Sequence, residues 1–137
     1  MIVDAAALVA VIRREPDRAA TLRAIAAADT RIMSAATLVE VCLVVDGRRD
    51  DALSHELDAL LTALDVSITP FTEAQARFAR DAFRRYGKGM GHRAQLNLGD
   101  CYAYAASKDL GEPLLFTGDD FCHTDVDPAR SQSSTQP

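Results

Sequence analysis

The sequence predicts an α/β protein, a mostly parallel sheet of four to five short strands with helices covering both faces. Three observations carry that prediction. Short apolar runs ("MIVD", "RIM", "VSITPF", "LLFT") recur along the chain, and longer stretches with helical spacing of apolar residues separate them. Ser, Thr, Asn, Gly and Pro stand at the borders, where helices start and stop.

Each element has its own reason. "MIVD" reads as a short buried strand, and "AAALVAVIRRE" continues as a helix that Pro16 interrupts. "PDRAATLRAIAAAD" places Pro16 at a first helical position ahead of an alanine-rich second helix. "RIM" is the second strand, and Ser34 caps a helix over 35–45. In "ALSHELDALLTALD", Leu53, Leu57, Leu60, Leu61 and Leu64 form one stripe that faces either the core or a partner. "VSITPF" is the third strand, after which Thr72 opens a long helix ending at Gly87. "GKGMGHRAQLN" is a glycine-rich loop. A helix over 98–110 stops at Gly111 and Pro113, "LLFT" is the fourth strand, "GDDF" a turn and "TDVD" an edge-strand candidate. One domain over 1–128 and a polar, disordered tail over 129–137 are expected.

Bulk properties narrow the function classes. With 48% hydrophobic and 26% charged residues, the chain has the composition of a soluble globular protein. No apolar run approaches the roughly 18 residues of a membrane span, and no basic segment precedes the apolar N-terminus, so a cytoplasmic protein is expected. Cys42, Cys101 and Cys122 lack zinc or disulfide spacing and read as small buried hydrophobes. The net charge of -5 counts against nucleic acid until its distribution is examined. From Arg77 to Arg93, "RFARDAFRRYGKGMGHR" sets six Lys and Arg residues against Asp81 alone.

The acidic residues are the candidate chemistry. Glu40 is the only charged residue between Ile32 and Val45, and a helix apolar all round is expected to be buried. A carboxylate there must pair, take a proton, bind a metal or reach solvent through a gap. Asp100 falls three residues after Asn97, the spacing of a capping box, while Gly99 leaves room beside it. Asp4 ends the first strand and also suits an N-cap. Asp119 and Asp120 follow the fourth strand, where a plain turn would equally place them. Ligands of such sheets sit outside the carboxyl ends of the strands, so one fold would bring all of these residues to one edge. Oxygen donors without His or Cys suit Mg2+ or Mn2+ and point to phosphodiester hydrolysis.

The stretches "MIVDAAALVAVI", "SAATLVEV" and "RYGKGMGHRAQLNLGDCYAYAASKDLGEPLLFTGDDF" resemble PIN-domain ribonucleases, specifically the VapC toxins of type II toxin–antitoxin pairs. The resemblance runs from Met1 to about Val126 and implies a PIN-like fold. By it, Asp4, Glu40, Asp100 and Asp119 correspond to an acidic catalytic quartet binding Mg2+ or Mn2+, with Asp120 as a further metal ligand. Such enzymes usually follow the first aspartate with hydroxyl residues; here stand Ala5 and Ala6, which implies weaker metal binding. The family pattern suggests Thr117 as a supporting hydroxyl. Arg84, Arg85, Lys88, His92 and Arg93 surround the glycine loop and form a candidate RNA path, against the plainer reading of a solvated helix face. His92 has no partner at a spacing that marks a general base.

The resemblance further implies an RNA substrate, a small VapB-like antitoxin and a homodimer. Its consequence is a metal-dependent endoribonuclease toxin. The alternative is a catalytically weakened PIN-like module that binds RNA or sequesters antitoxin. A phospho-acceptor signalling domain fits less well, since it needs adjacent acidic residues after the first strand.

Overall fold

The computed structural model describes residues 1–129. Four strands, β1 (Ile2–Val3), β2 (Ile32–Ser34), β3 (Ser67–Thr69) and β4 (Leu114–Leu115), form a sheet in the order β3-β2-β1-β4. Every pairing is parallel, with Ile2 beside Ile32 and Leu114, and Met33 beside Ile68. Helices α1 (Ala5–Ile12) and α2 (Arg18–Ala27) connect β1 to β2, and α3 (Ala35–Asp46) and α4 (Asp51–Ala63) connect β2 to β3. Then α5 (Glu73–Tyr86) and α6 (Leu98–Leu110) carry the chain back across the sheet to β4.

That return sets the layers. Right-handed crossovers put helices on opposite faces when the direction of travel across a sheet reverses. One core accordingly joins Val3, Met33 and Leu115 to α1–α4, and the other joins Ile2 and Leu114 to α5 and α6. Successive strand residues point to opposite faces, so two-residue strands can serve both cores. The order reverses between β1 and β4, which makes the crevice beyond their carboxyl ends the topological switch point. Asp4 stands there.

The caps are made as the sequence requires. Ser34 accepts from the Ala36 N–H, and Thr72 accepts from the Gln75 N–H. Gly111 ends α6 with φ of 64°, a left-handed conformation that glycine adopts without steric cost.

Several expectations need correction. Pro16 is not in a helix: Asp17 holds the N-cap position and α2 starts at Arg18. The leucine stripe of α4, open in sequence between core and partner, turns out to be core packing, with Leu57 buried and Leu53, Leu60, Leu61 and the C-cap Leu64 against the same cluster. α3 is not buried all round. Its Thr37, Val41 and Val45 face inward, whereas Val39 and Leu43 are 56% and 68% exposed, because a helix in an outer layer has one face to give to the sheet. "TDVD" forms no strand: the bridge lies at Pro128, beside Leu114, with bonds from the Leu114 N–H to Asp127 and from the Ala129 N–H to Leu114. Proline donates no hydrogen bond, and the pairing goes no further among the described residues. Ala129, expected in the tail, is thereby anchored; the expected disorder of 130–137 lies outside the described residues. Of the cysteines, only Cys101 is buried. No helix among the described residues is long and apolar enough to cross a membrane.

Candidate active site

Asp4 is held by the sheet itself. Its N–H donates to Leu115 at 3.0 Å, and its carbonyl accepts from Ala7 at 3.2 Å, so the residue joins β1 directly to α1. It occupies the N-cap position, but the side chain makes no capping bond. The residue is 2% exposed. Burial, then the charge of Asp100, then that of Glu40, push its pKa up to about 8, and the Ala5 and Ala6 N–H groups partly oppose the rise.

Glu40 and Asp100 complete a mutually repelling group. Burial first and Asp100 second hold Glu40 above its ordinary value. Gly99 is what lets α6 approach: a β-carbon built there would overlap the Glu40 carboxylate. Asp100 does form the capping box, its Oδ2 accepting from the Asn97 N–H at 3.0 Å while Asn97 Oδ1 accepts from the Asp100 N–H at 2.8 Å. Capping fixes this side chain without neutralising it. Burial raises Asp100, the capping N–H opposes that, and the charge of Asp120 raises it further.

The remaining predicted residues are placed more loosely. Asp119 and Asp120 are exposed at the start of a 3-10 helix (Asp120–His123); Asp119 has the N-cap position without a side-chain cap, and it is Asp120 whose field reaches Asp100. Thr117 is partly buried two residues beyond β4 and makes no described hydrogen bond. Among the described residues, no lysine, arginine or histidine forms an ion pair with Asp4, Glu40 or Asp100, so no arginine among them neutralises Glu40. Nor do three or more His, Cys, Asp or Glu side chains among the described residues already converge as ligands. The donor set nevertheless fits a hard cation: carboxylate oxygens only, crowded and without a cationic partner among those residues.

One buried group went unread in the sequence. Thr37, one turn before Glu40, is 1% exposed and its hydroxyl has no partner among the described residues. Its only signal was a threonine inside an apolar run.

The basic segment divides in two. Arg84, Lys88 and Arg93 are exposed around Gly89 and Gly91, whose φ values of 85° and 80° shape the loop. Arg85 is engaged within the molecule, with Asp81 at 3.4 Å, the Tyr86 hydroxyl at 2.8 Å and Asp125 at 3.6 Å. His92 accepts from the Ala94 N–H through Nδ1 at 3.0 Å and stands edge-on to Tyr86, which makes it a loop brace.

A family model described as PIN domain matches residues 1–127. The chain belongs to the PIN-domain family. This PIN domain is 48% identical to "Ribonuclease VapC28" of Mycobacterium tuberculosis over 126 residues, covering 92% of this chain and 95% of that protein. It is 43% identical to "Ribonuclease VapC42" of the same organism over 129 residues, 94% of this chain and 98% of the other. Its fold is also similar to the crystal structure of Mycobacterium tuberculosis VapC20, titled a sarcin-ricin loop cleaving toxin, with a TM-score of 0.68 at 16% identity over 93% of this chain and 98% of the other. The two sequence relatives give the PIN domain its VapC kinship, and the structural likeness gives the fold.

Proposed function

We propose that this PIN domain is a divalent-metal-dependent endoribonuclease, the toxin of a type II toxin–antitoxin pair. The carrying observation is the group formed by Asp4, Glu40 and Asp100 at the switch point, with no cationic partner among the described residues. Relatives named ribonuclease over nearly the full length support the same reading. Asp4, Glu40, Asp100 and Asp119, with Asp120 beside them, would hold Mg2+ or Mn2+, and Thr117 would support that shell. The bound ion supplies an acidified water and charge stabilisation at the phosphodiester.

The chain's own residues do the rest. Asp100, fixed by Asn97, keeps one carboxylate oxygen in a set place. Gly99 gives Glu40 its room, and the β1–β4 crevice shields Asp4 from water. Arg84, Lys88 and Arg93, around the loop that His92 braces, would guide an RNA backbone toward the acidic centre. An antitoxin carrying a cationic tail suits the same pocket, and a homodimer would cover the exposed Val39 and Leu43 of α3.

Incubation of the purified protein with total RNA tests the proposal. Cleavage is expected with Mn2+, and both EDTA and Asp100→Asn are expected to abolish it. Ala5 and Ala6 favour a second reading, a weakened module that binds RNA or antitoxin without cutting. Absence of cleavage under every condition, with RNA binding retained, would select that reading.

A further inference from the structure

The acidic turn at Asp119–Asp120 is tied locally by one backbone bond, from the Cys122 N–H to the Asp119 carbonyl at 3.0 Å, and its carboxylates have no anchor of their own. Both side chains are exposed, neither makes a described hydrogen bond, and Gly118 ahead of them has φ of 79°. Its position therefore depends on what holds the segment on either side. On one side is β4. On the other, Phe121 and Val126 enter the core shared with α5 and α6, and Phe116 packs on Phe121 with ring centres 5.1 Å apart.

Between those two apolar plugs, the Asp125 side chain reaches back to both helices. It accepts from the Tyr104 hydroxyl at 2.7 Å and pairs with Lys108 at 3.2 Å and Arg85 at 3.6 Å. Lys108 also donates to the Asp125 carbonyl at 3.0 Å. Arg85 is itself fixed by Asp81 and the Tyr86 hydroxyl. Three residues from two helices thus meet on one carboxylate five positions beyond Asp120. Arg85 and Asp125 are nearly half exposed, so each ion pair contributes at most about 1 kcal/mol of stability. A network of such weak pairs suits the fixing of a direction better than the support of a fold.

We propose that Asp125, gripped by Tyr104, Lys108 and Arg85, is a positioning residue that holds the Asp119–Asp120 turn opposite Asp100. This rests on the reading of those carboxylates as cation ligands. It also gives Arg85, at the mouth of the basic loop, a positioning role in place of an RNA contact.

Mn2+ affinity by electron paramagnetic resonance tests it, alongside amide exchange of metal-free protein. Asp125→Asn is expected to weaken Mn2+ binding about tenfold or more, the scale at which groups supporting metal ligands act. The melting temperature should barely move, while the Cys122 and Thr124 amides, both hydrogen-bonded within the segment, exchange faster. In an Asp119→Asn/Asp120→Asn background, Asp125→Asn should add no further loss. Should Asp125→Asn unfold the chain, Lys108→Gln carries the same expectation. Arg85→Gln should lower Mn2+ affinity yet leave the salt dependence of RNA binding in EDTA unchanged, whereas Arg93→Ala should flatten it. Affinity of Asp125→Asn within twofold of wild type, or a loss that adds fully in the doubly substituted background, would overturn the proposal. Wild type binding Mn2+ no better than Asp100→Asn would overturn the metal reading itself, and this one with it.

Discussion

Asp4 is buried beside two other carboxylates. Its folded pKa of about 8 lies far above the value of 3.8 of the unfolded chain. Between those values the native state keeps a proton that the unfolded state has lost, so stability falls as pH rises, by about 1.4 kcal/mol per pH unit. In metal-free buffer, denaturant melts at pH 5 and pH 8 should show that decline. Asp4→Asn should make it shallower, leaving the smaller share of Glu40 and Asp100, which are also held above their ordinary values, and raise the melting temperature at pH 8. Gly99 gives a second test. Alanine normally favours a helix over glycine, by up to about 1 kcal/mol in the interior and less at a first-turn position such as this one, but here its β-carbon meets Glu40. Gly99→Ala should therefore destabilise the protein, and in a Glu40→Ala background it should stabilise it; denaturation of the four proteins reads the sign directly. Glu40 was legible as a lone charge in an apolar helix, although the reason differs from the expected one. The helix is half open, and α6, through Gly99, half-buries the carboxylate.

Among the elements, the helices were read from caps and the sheet from apolar runs. Ser34, Thr72 and Asn97 all cap as their residue types require, since each supplies a short side-chain oxygen to an unpaired N–H. Asn97→Ala should cost about 1 kcal/mol in a denaturant melt and, by loosening Asp100, lower Mn2+ affinity as well. Leu57, fully buried in the α4 stripe, should cost about 2–5 kcal/mol on truncation to alanine. Two of the outcomes share one cause. Helical spacing says that a face is apolar but not what covers it, so the α4 stripe and the apolar run of α3 could not be sorted into core and surface without the layer order. Nor does composition show that Pro128, and not "TDVD", meets Leu114.

For the whole molecule, the decisive fact is the order β3-β2-β1-β4, which puts the sheet's reversal beside Asp4. Alternating strands and helices made the fold class readable; the resemblance to PIN domains supplied the family, and the family match over residues 1–127 agrees with it. Hidden from the sequence was the division of the basic segment, because only tertiary contacts join Arg85 to Asp125 and leave Arg84, Lys88 and Arg93 open. RNA binding measured across a salt series should lose slope on Lys88→Ala and Arg93→Ala, despite the overall charge of -5. The central claim is that Asp4, Glu40 and Asp100 tolerate one another through a divalent cation. Calorimetric titration of Mn2+ into wild type, Asp4→Asn, Glu40→Gln and Asp100→Asn tests it most directly: the account predicts saturable binding by wild type and a loss of tenfold or more in each variant, and equal affinity in all four would contradict it.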